Sequence, residues 1–372
     1  MKRRTALQAG IAAGAAAIAG CTGGSDTAAV APADAFADLY GPGPLGEQRP
    51  VDGGVPIADL PALTGELTIY LGGGEGGVYL DFLDRLEQIY PAFSPQLREA
   101  PGADTANTIL SEGTASPADV FWAVDAGSIG AVTGAGLTTR LPEEVTDQVP
   151  THYHPDDAWV ATSGRARAIP YNTDLIDAAD IPSSVMEFPE VPAFADAMAW
   201  APTYGSFQAF ITTMRYLEGE AATRRWLEAT IDAGVTSFAD EFLLNNGIAD
   251  GTASVGFANH YYAWRVREAR PDAPIALAFT AGDAGALINV AGATVLRSSD
   301  RITQAERFIQ HLLSTEAQEF FTVNLWDYPV LPEMEPVGDM PTIEELNPPE
   351  MPLERLSDIQ PTLELLRSTG AL

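Results

Sequence analysis

Two adjacent tyrosines, Tyr261 and Tyr262, directly follow an asparagine and a histidine in the run Asn259-His260-Tyr261-Tyr262. Each phenol can supply one anionic oxygen once it loses its proton, and a small, hard, highly charged ion such as Fe(III) prefers such ligands. A free tyrosine has a pKa of about 10, so a multivalent cation is needed to keep both side chains deprotonated near neutral pH. The pair therefore indicates a candidate ferric site that would release its metal as the pH falls.

The segment before the tyrosines, Ser254-Val255-Gly256-Phe257, is predicted to be a β-strand. On a regular strand, adjacent side chains point to opposite faces, so one tyrosine would enter the core while the other would face solvent. Both phenols can meet at one ligand only if strand geometry ends before them, and the residues alone leave both arrangements open. His260 is a candidate nitrogen ligand, but imidazole matches Fe(III) less well than phenolate does, so we do not predict that it binds the metal.

Two arginines, Arg165 and Arg167, alternate on another predicted strand and therefore share one of its faces. Planar guanidinium groups bind anions and carboxylates through paired N–H donors. The arginines could thus form a fork for an anion or for a carboxylate of a second lobe. A structural salt bridge is the alternative.

The chain has 372 residues, with 20 lysines and arginines against 51 aspartates and glutamates, and a formal net charge of -31. Lys2 is the only lysine. This balance offers no basic surface for a phosphate backbone, so it excludes nucleic acid as a partner. An acidic surface can attract cations or keep a protein soluble in concentrated salt. The composition resembles that of proteins from salt-loving archaea, and we interpret the charge as halophilic.

The N-terminus has the order of an export signal. A cationic head at Met1–Arg4 precedes a small, apolar stretch at Ala6–Ala19, and Cys21 follows. The segment resembles a twin-arginine signal that ends in a lipobox. We predict a signal peptide over residues 1–20, a lipid anchor at Cys21, and a tether with little fixed structure over residues 21–65 on the extracytoplasmic face of the membrane. A short uncleaved signal anchor, the alternative, would leave the protein on the same face.

Strand and helix patterns alternate along the chain from residue 66 and predict an α/β architecture with largely parallel sheets. The glycine-rich turn at 72–77 lacks the lysine of a phosphate loop, so it does not predict a nucleotide site. The predicted strands are at 67–71, 118–123, 167–171, 198–202, 254–257 and 287–296, and the predicted helices are at 78–90, 126–136, 207–217, 221–233 and 304–313.

Two α/β regions joined by extended crossovers predict two lobes with a cleft between them, and such crossovers are natural hinges. The predicted crossovers are at 165–172 and 287–296. The predicted division places residues 66–170 and 288–320 in lobe 1, and residues 171–287 and 321–372 in lobe 2.

Eight short runs occur in one order along residues 66–332. They are Ala118-Asp119-Val120-Phe121, Ser163-Gly164-Arg165-Ala166-Arg167, Tyr171-Asn172-Thr173-Asp174, Ala201-Pro202-Thr203, Gly205-Ser206-Phe207-Gln208, Val255-Gly256, Asn259-His260-Tyr261-Tyr262 and Tyr328-Pro329. In this order they resemble the ferric-iron-binding proteins of ABC importers. The resemblance implies a two-lobed, type II periplasmic-binding-protein-like fold with two crossover hinge strands. It also implies a monomer that captures Fe(III) between its lobes through Tyr261 and Tyr262 and passes it to an ABC permease and ATPase. In this family context we predict that strand geometry ends before the two tyrosines, so that both phenols converge.

The sequence departs from the family in the turn after the first strand. Relatives often place a histidine, arginine or serine there, whereas this chain has Gly73 and Gly74 followed by Glu75. We predict that Glu75 is an iron ligand, with capping of the next helix as the alternative. Some relatives carry a further carboxylate at the position of Val124, and Asp125 follows it here. We predict ligation by Asp125 at the strand end, with a helix N-cap as the equal alternative.

Relatives that bind iron with a synergistic anion, such as carbonate, hold that anion through hydroxyl, backbone and asparagine groups. The resemblance therefore assigns Ser206 and Asn259 to anion binding or to the cleft. Glu241 stands where an asparagine is common, and a carboxylate would repel an anion. We predict that Glu241 either faces solvent or replaces the anion as a direct metal ligand. Other relatives have an extra tyrosine in the segment Gly205-Ser206-Phe207, and this chain has none there.

Other functions remain as alternatives. A binding protein of the same class could take thiamine, a polyamine or an organic anion instead of iron. An enzyme is the alternative from a different class, but the sequence has no Gly-x-Ser-x-Gly elbow, no His-Glu-x-x-His and no phosphate loop. Cys21 is the only cysteine, so the mature chain has no cysteine nucleophile and no internal disulfide.

Overall fold

The computed structural model describes residues 29–40, 53–73, 77–338 and 340–372. Within these ranges, strands and helices alternate as the sequence predicts. The strands are β1 (Gly65–Gly72), β2 (Phe93–Ala100), β3 (Val120–Ala123), β4 (Val160–Asn172), β5 (Met198–Trp200), β6 (Thr236–Ser237), β7 (Val255–Gly256), β8 (Ala258–Asn259), β9 (Ile275–Ala278) and β10 (Ile288–Val295). The α-helices are α1 (Pro32–Ala35), α2 (Val78–Ile89), α3 (Gly102–Glu112), α4 (Ala126–Gly134), α5 (Glu143–Thr146), α6 (Gly205–Glu218), α7 (Glu220–Asp232), α8 (Glu241–Ala249), α9 (Tyr261–Ala269), α10 (Ile302–Leu312), α11 (Thr315–Leu325), α12 (Ile343–Leu346) and α13 (Ile359–Thr369).

The strands form two groups that meet at β4. The first group has the order β2-β1-β3-β10-β4, and the second continues as β4-β7-β5-β6, with β8 and β9 also paired to β4. Pairing is parallel where β1 meets β2 and β3, and where β5 meets β6 and β7. Every pairing of β4 and of β10 is antiparallel. The prediction of largely parallel sheets is therefore wrong at the centre, where the long strands run between lobes instead of following a helical crossover.

Strand β4 passes through both groups without interruption. Its first half, from Val160 to Ala166, pairs with β10, and its second half, from Arg167 to Asn172, pairs with β8, β9 and β7. All thirteen residues of β4 are buried. A strand that is covered along its whole length and shared by two sheets is a rigid link between lobes, which fits the predicted crossover at this position.

Each group of strands has its own aromatic core. In the first core, the ring of Trp122 packs 4.3 Å from that of Tyr79 and 5.9 Å from that of Phe321, measured between centroids. In the second core, the ring of Phe257 lies 5.3 Å from that of Trp226 and 5.8 Å from that of Phe210. Two cores that each fill with large side chains are the packing expected of two lobes.

The C-terminal segment makes a further connection between the cores. A 3₁₀-helix at Leu353–Ser357 packs on α4, and its Leu356 is buried in the first core. Helix α13 then packs on α6 and α7, with Leu365 buried in the second core. Residues 321–356 contribute mainly to the first core, so packing favours a division in which only the end of the chain joins lobe 2.

Part of the predicted tether is ordered. Phe36 and Leu39 are buried in the first core, and the guanidinium of Arg85 donates two hydrogen bonds to the carboxylate of Asp38. The prediction of little fixed structure over residues 21–65 is therefore wrong for residues 29–40 and 53–65. Two apolar side chains in an alanine-rich segment are enough to hold it against helix α2. The predicted signal peptide and Cys21 lie outside the described residues, and in the described ranges no helix is both long and apolar enough to cross a bilayer.

Candidate functional site

The two tyrosines lie where a strand changes into a helix. Strand β8 ends at Asn259, and helix α9 begins at Tyr261, so the prediction that strand geometry ends before the pair is confirmed. Tyr261 and Tyr262 are 4 % and 6 % exposed, and their ring centroids are 4.4 Å apart. Both pack with the first core although α9 follows strands of the second group. The pair therefore lies at the junction of the two lobes.

A third tyrosine, Tyr204, joins the pair. It is the N-cap residue of helix α6, and its hydroxyl forms a short hydrogen bond with the hydroxyl of Tyr262. The two rings meet edge to face with centroids 6.2 Å apart. Sequence reasoning missed Tyr204 because it sought a tyrosine within Gly205-Ser206-Phe207, one residue further on. The signal available in the sequence was the position of Tyr204 between Pro202-Thr203 and Gly205, where a helix start is expected.

Burial favours the protonated form of the Tyr262 phenol in the absence of a cation. Desolvation raises the pKa of Tyr262 far above its ordinary value, and the neighbouring Tyr261, Tyr204 and Glu241 raise this pKa further. Arg265, one helical turn beyond the pair, lies over the rings of Tyr261 and Tyr262 at 5.0 and 5.4 Å. A ligand that turns the phenols into phenolates must therefore carry substantial positive charge.

The carboxylate of Glu241 is buried beside the phenols. Its Oε1 accepts hydrogen bonds from Arg167 Nη1 at 2.5 Å and from Ser206 Oγ at 2.5 Å. Its Oε2 accepts the backbone N–H of Asn259 at 2.8 Å. The side chain is fully buried, so the predicted alternative in which Glu241 faces solvent is wrong. Pairing with Arg167, far away in sequence, is the physical reason that a first-turn glutamate can be buried.

The second buried arginine, Arg165, has different partners. It donates to the backbone carbonyl of Val124 and, at 3.0 Å, to the hydroxyl of Tyr79, and its Nε lies 3.5 Å from an oxygen of Asp327. Each arginine of β4 thus has a buried carboxylate of its own. The structure shows the salt-bridge alternative in place of a joint fork for an anion.

Asp125 is the N-cap of helix α4, where its Oδ1 accepts the backbone N–H of Ser128 at 2.7 Å. The N-cap alternative is therefore the one that the structure shows. Glu75 lies outside the described residues, so its role stays a prediction. Over the described ranges, no group of three or more histidine, cysteine, aspartate or glutamate side chains could hold a metal. Instead, the structure brings together the phenol groups of Tyr204, Tyr261 and Tyr262.

His260 is fully buried between the lobes. Its Nδ1 lies 3.2 Å from the carbonyl oxygen of Ala166 on β4, and its Nε2 lies 2.6 Å from that of Trp326. Burial lowers the pKa of His260 to about 4, so the imidazole is neutral near pH 7. Both nitrogens face backbone oxygens, so this histidine connects β4 to the segment that follows α11.

The chain belongs to the family described as bacterial extracellular solute-binding protein, whose model matches residues 115–352. Among its relatives, it is 29 % identical over 283 residues to the major ferric iron-binding protein of Neisseria meningitidis, covering 74 % of this chain and 84 % of that protein. It is 30 % identical over 264 residues to iron uptake protein A2 of Synechocystis, covering 66 % of this chain and 75 % of that protein.

The fold has solved counterparts. Iron-bound HitA from Pseudomonas aeruginosa superposes with a TM-score of 0.73 at 25 % identity, over 82 % of this chain and 99 % of that one. The predicted two-lobed, type II periplasmic-binding-protein-like fold is thus confirmed, as is the resemblance to the ferric-iron-binding family.

Proposed function

We propose that this chain binds ferric iron at the junction of its lobes through Tyr261, Tyr262 and Tyr204, and delivers it to an ABC importer. The observation that carries the proposal is the meeting of three phenols from the starts of two helices, with two of their hydroxyls in direct contact. Phenolate oxygens suit Fe(III), and a trivalent ion can offset the cost of deprotonating buried phenols. The iron-binding relatives support the same ligand.

Around this site, the proposal keeps the features that sequence predicts. The chain acts as a monomer that binds without catalysis, is exported and lipid-anchored through Cys21, and passes iron to a permease and its ATPase. Glu75 and Asp125 are candidate carboxylate ligands from the first lobe, and Asp125 also caps α4. A halophilic origin accounts for the formal net charge of -31.

Spectroscopic titration of the apoprotein with ferric nitrilotriacetate tests the proposal. We expect a visible phenolate-to-iron charge-transfer band that saturates at one iron per chain, accompanied by a rise in melting temperature. The double variant Tyr261→Phe/Tyr262→Phe should lose the band. Tyr216→Phe is the matched control, because Tyr216 is 47 % exposed on the far part of α6 and its phenol should not matter.

The competing solutes are outcomes of the same experiment. If the protein stays colourless with iron but gains thermal stability with thiamine, a polyamine or an organic anion, that solute would replace ferric iron as the proposed ligand. A band that survives the double variant would show that iron binds somewhere other than at the tyrosine pair.

A further inference from the structure

One buried carboxylate joins the elements that carry the three phenols. Glu241 is the first residue of α8, and its Oε1 accepts from Ser206, two residues beyond Tyr204 in the first turn of α6. Its Oε2 accepts the backbone N–H of Asn259, two residues before the tyrosine pair. The carboxylate therefore ties the start of α6 to the end of β8.

Glu241 is also connected to the phenol of Tyr261 by hydrogen bonds that pass through Arg167 and Asn259. Arg167 Nη1, which donates to Glu241, also donates to Asn259 Oδ1 at 3.1 Å. The Nδ2 of Asn259 then donates to the hydroxyl of Tyr261 at 3.3 Å. Because Arg167 lies on β4, this chain of hydrogen bonds connects the strand shared by both lobes to a proposed iron ligand.

The donors around Glu241 have the character of an anion-binding site. A hydroxyl, a backbone N–H and a guanidinium converge on its two oxygens, and all the bonds are between 2.5 and 2.8 Å. Groups of this kind hold oxyanions in proteins. Here the anion is part of the chain, since Glu241 is fully buried and Arg167 is 3 % exposed.

We propose that Glu241 is the built-in anion of the ferric site, a positioning residue whose carboxylate occupies the donors that a free anion would need. The wild-type chain then takes up ferric iron without carbonate, phosphate or another added anion. The inference rests on the proposed function and replaces the expectation of a synergistic anion. It assigns to Glu241 the role of positioning Tyr204 and Tyr261, with the phenols as the iron ligands.

The test compares iron uptake with and without small anions. Apoprotein in chloride buffer under CO₂-free air receives ferrous chloride, which oxidises to the ferric state, and the charge-transfer band is followed before and after adding bicarbonate, phosphate or acetate. We expect the wild-type band to form equally in every buffer. In Glu241→Ala the guanidinium of Arg167 is left unpaired beside the cation, and we expect affinity to fall at least about 100-fold without an added anion. Bicarbonate or acetate, which fits the vacated donors, should restore much of the loss.

Two variants keep the comparison interpretable. Glu241→Gln preserves the volume of the side chain but not its charge, so we expect it to bind weakly and to be rescued less well than Glu241→Ala. Glu268→Gln, on the exposed part of α9, removes the same charge far from the donors and should behave as the wild type. Melting temperatures in all buffers separate misfolding from loss of the anion.

The outcomes distinguish this inference from the proposed function. A wild-type chain that needs an added anion for its band overturns the role of Glu241 and leaves ferric binding intact, even if Glu241→Ala fails to fold. A folded Glu241→Ala that binds iron without an anion, or that no anion rescues, also overturns it. A wild-type chain with no band in any buffer overturns the proposed function itself.

Discussion

On the second-lobe side of the junction, three phenols from the starts of α6 and α9 lie together, whereas the first-lobe side places an aspartate that caps a helix. Under the proposed function, the two sides would contribute differently to iron binding. Phenols that are already in contact can bind iron before the lobes close, and the first lobe can then complete the coordination with oxygen donors. The second lobe should therefore set affinity, and the first lobe should set closure.

The largest effect is expected from pH, because it acts on all three phenols at once. Burial raises the pKa of Tyr262, and any phenol that binds iron as a phenolate must release its proton. Affinity therefore rises with pH, and we expect it to fall about 1,000-fold for each pH unit of acidification if three protons are displaced. Chelator competition at several pH values measures this slope. If affinity changed only tenfold per pH unit, a single phenolate would bind the iron. The second lobe would then not supply most of the ligands.

Removal of the central phenol should have the next largest effect. Tyr262 contacts both other tyrosines, so we expect Tyr262→Phe to weaken ferric binding by roughly 1,000-fold, or about 4 kcal/mol. Competition with a chelator of known affinity measures the loss, and Tyr216→Phe again serves as the control. A loss below tenfold would mean that the second lobe does not set affinity.

A variant of Tyr204, which only the structure identifies, tests whether the second lobe supplies a third phenol ligand. We expect Tyr204→Phe to weaken ferric binding by about 10- to 100-fold, since the edge-to-face packing with Tyr262 remains and one oxygen is lost. Its pH slope should fall from three protons to two. If both affinity and slope match the wild type, the ligand set contains the pair but not Tyr204.

The smallest effect is expected on the first-lobe side. Asparagine caps helices as well as aspartate does, so Asp125→Asn should keep both stability and iron affinity close to the wild type if Asp125 acts as a cap. Asp125→Ala should lower the free energy of unfolding by about 1 kcal/mol through loss of the cap. Calorimetry and ferric titration test both variants. A large loss of affinity in Asp125→Asn would identify this carboxylate as a ligand.

Sequence patterns predicted the elements well where periodicity is strong. The predicted helix at 78–90 is observed at Val78–Ile89, and the predicted helix at 221–233 is observed at Glu220–Asp232. The antiparallel pairing of β4 and β10 was not predicted. The direction of pairing depends on the path that the chain takes between the lobes, and neither strand's residue pattern indicates it. The docking of Phe36 was missed for a similar reason, since its partners lie in distant segments.

The local structure of the candidate site was predicted in part. The tyrosine pair was selected by residue type together with the family resemblance, and the end of strand geometry before the pair followed from the need for two phenols at one point. The sequence left open whether Glu241 faces solvent or the site, because its burial depends on its pairing with Arg167 across the fold. Such long-range pairs are decided by tertiary packing, which a single sequence does not display.

The C-terminal connection limits how the lobes can open. Leu356 is fixed in the first core and Leu365 in the second, and only Asp358 separates the 3₁₀-helix from α13. A sliding displacement of one lobe along the other would stretch this one-residue connection, whereas a rotation about an axis that passes near it would not. This connection therefore favours a rotation of one lobe about an axis near the C-terminal segment. Under the proposed function, the cleft between the lobes should open at the edge farthest from that segment.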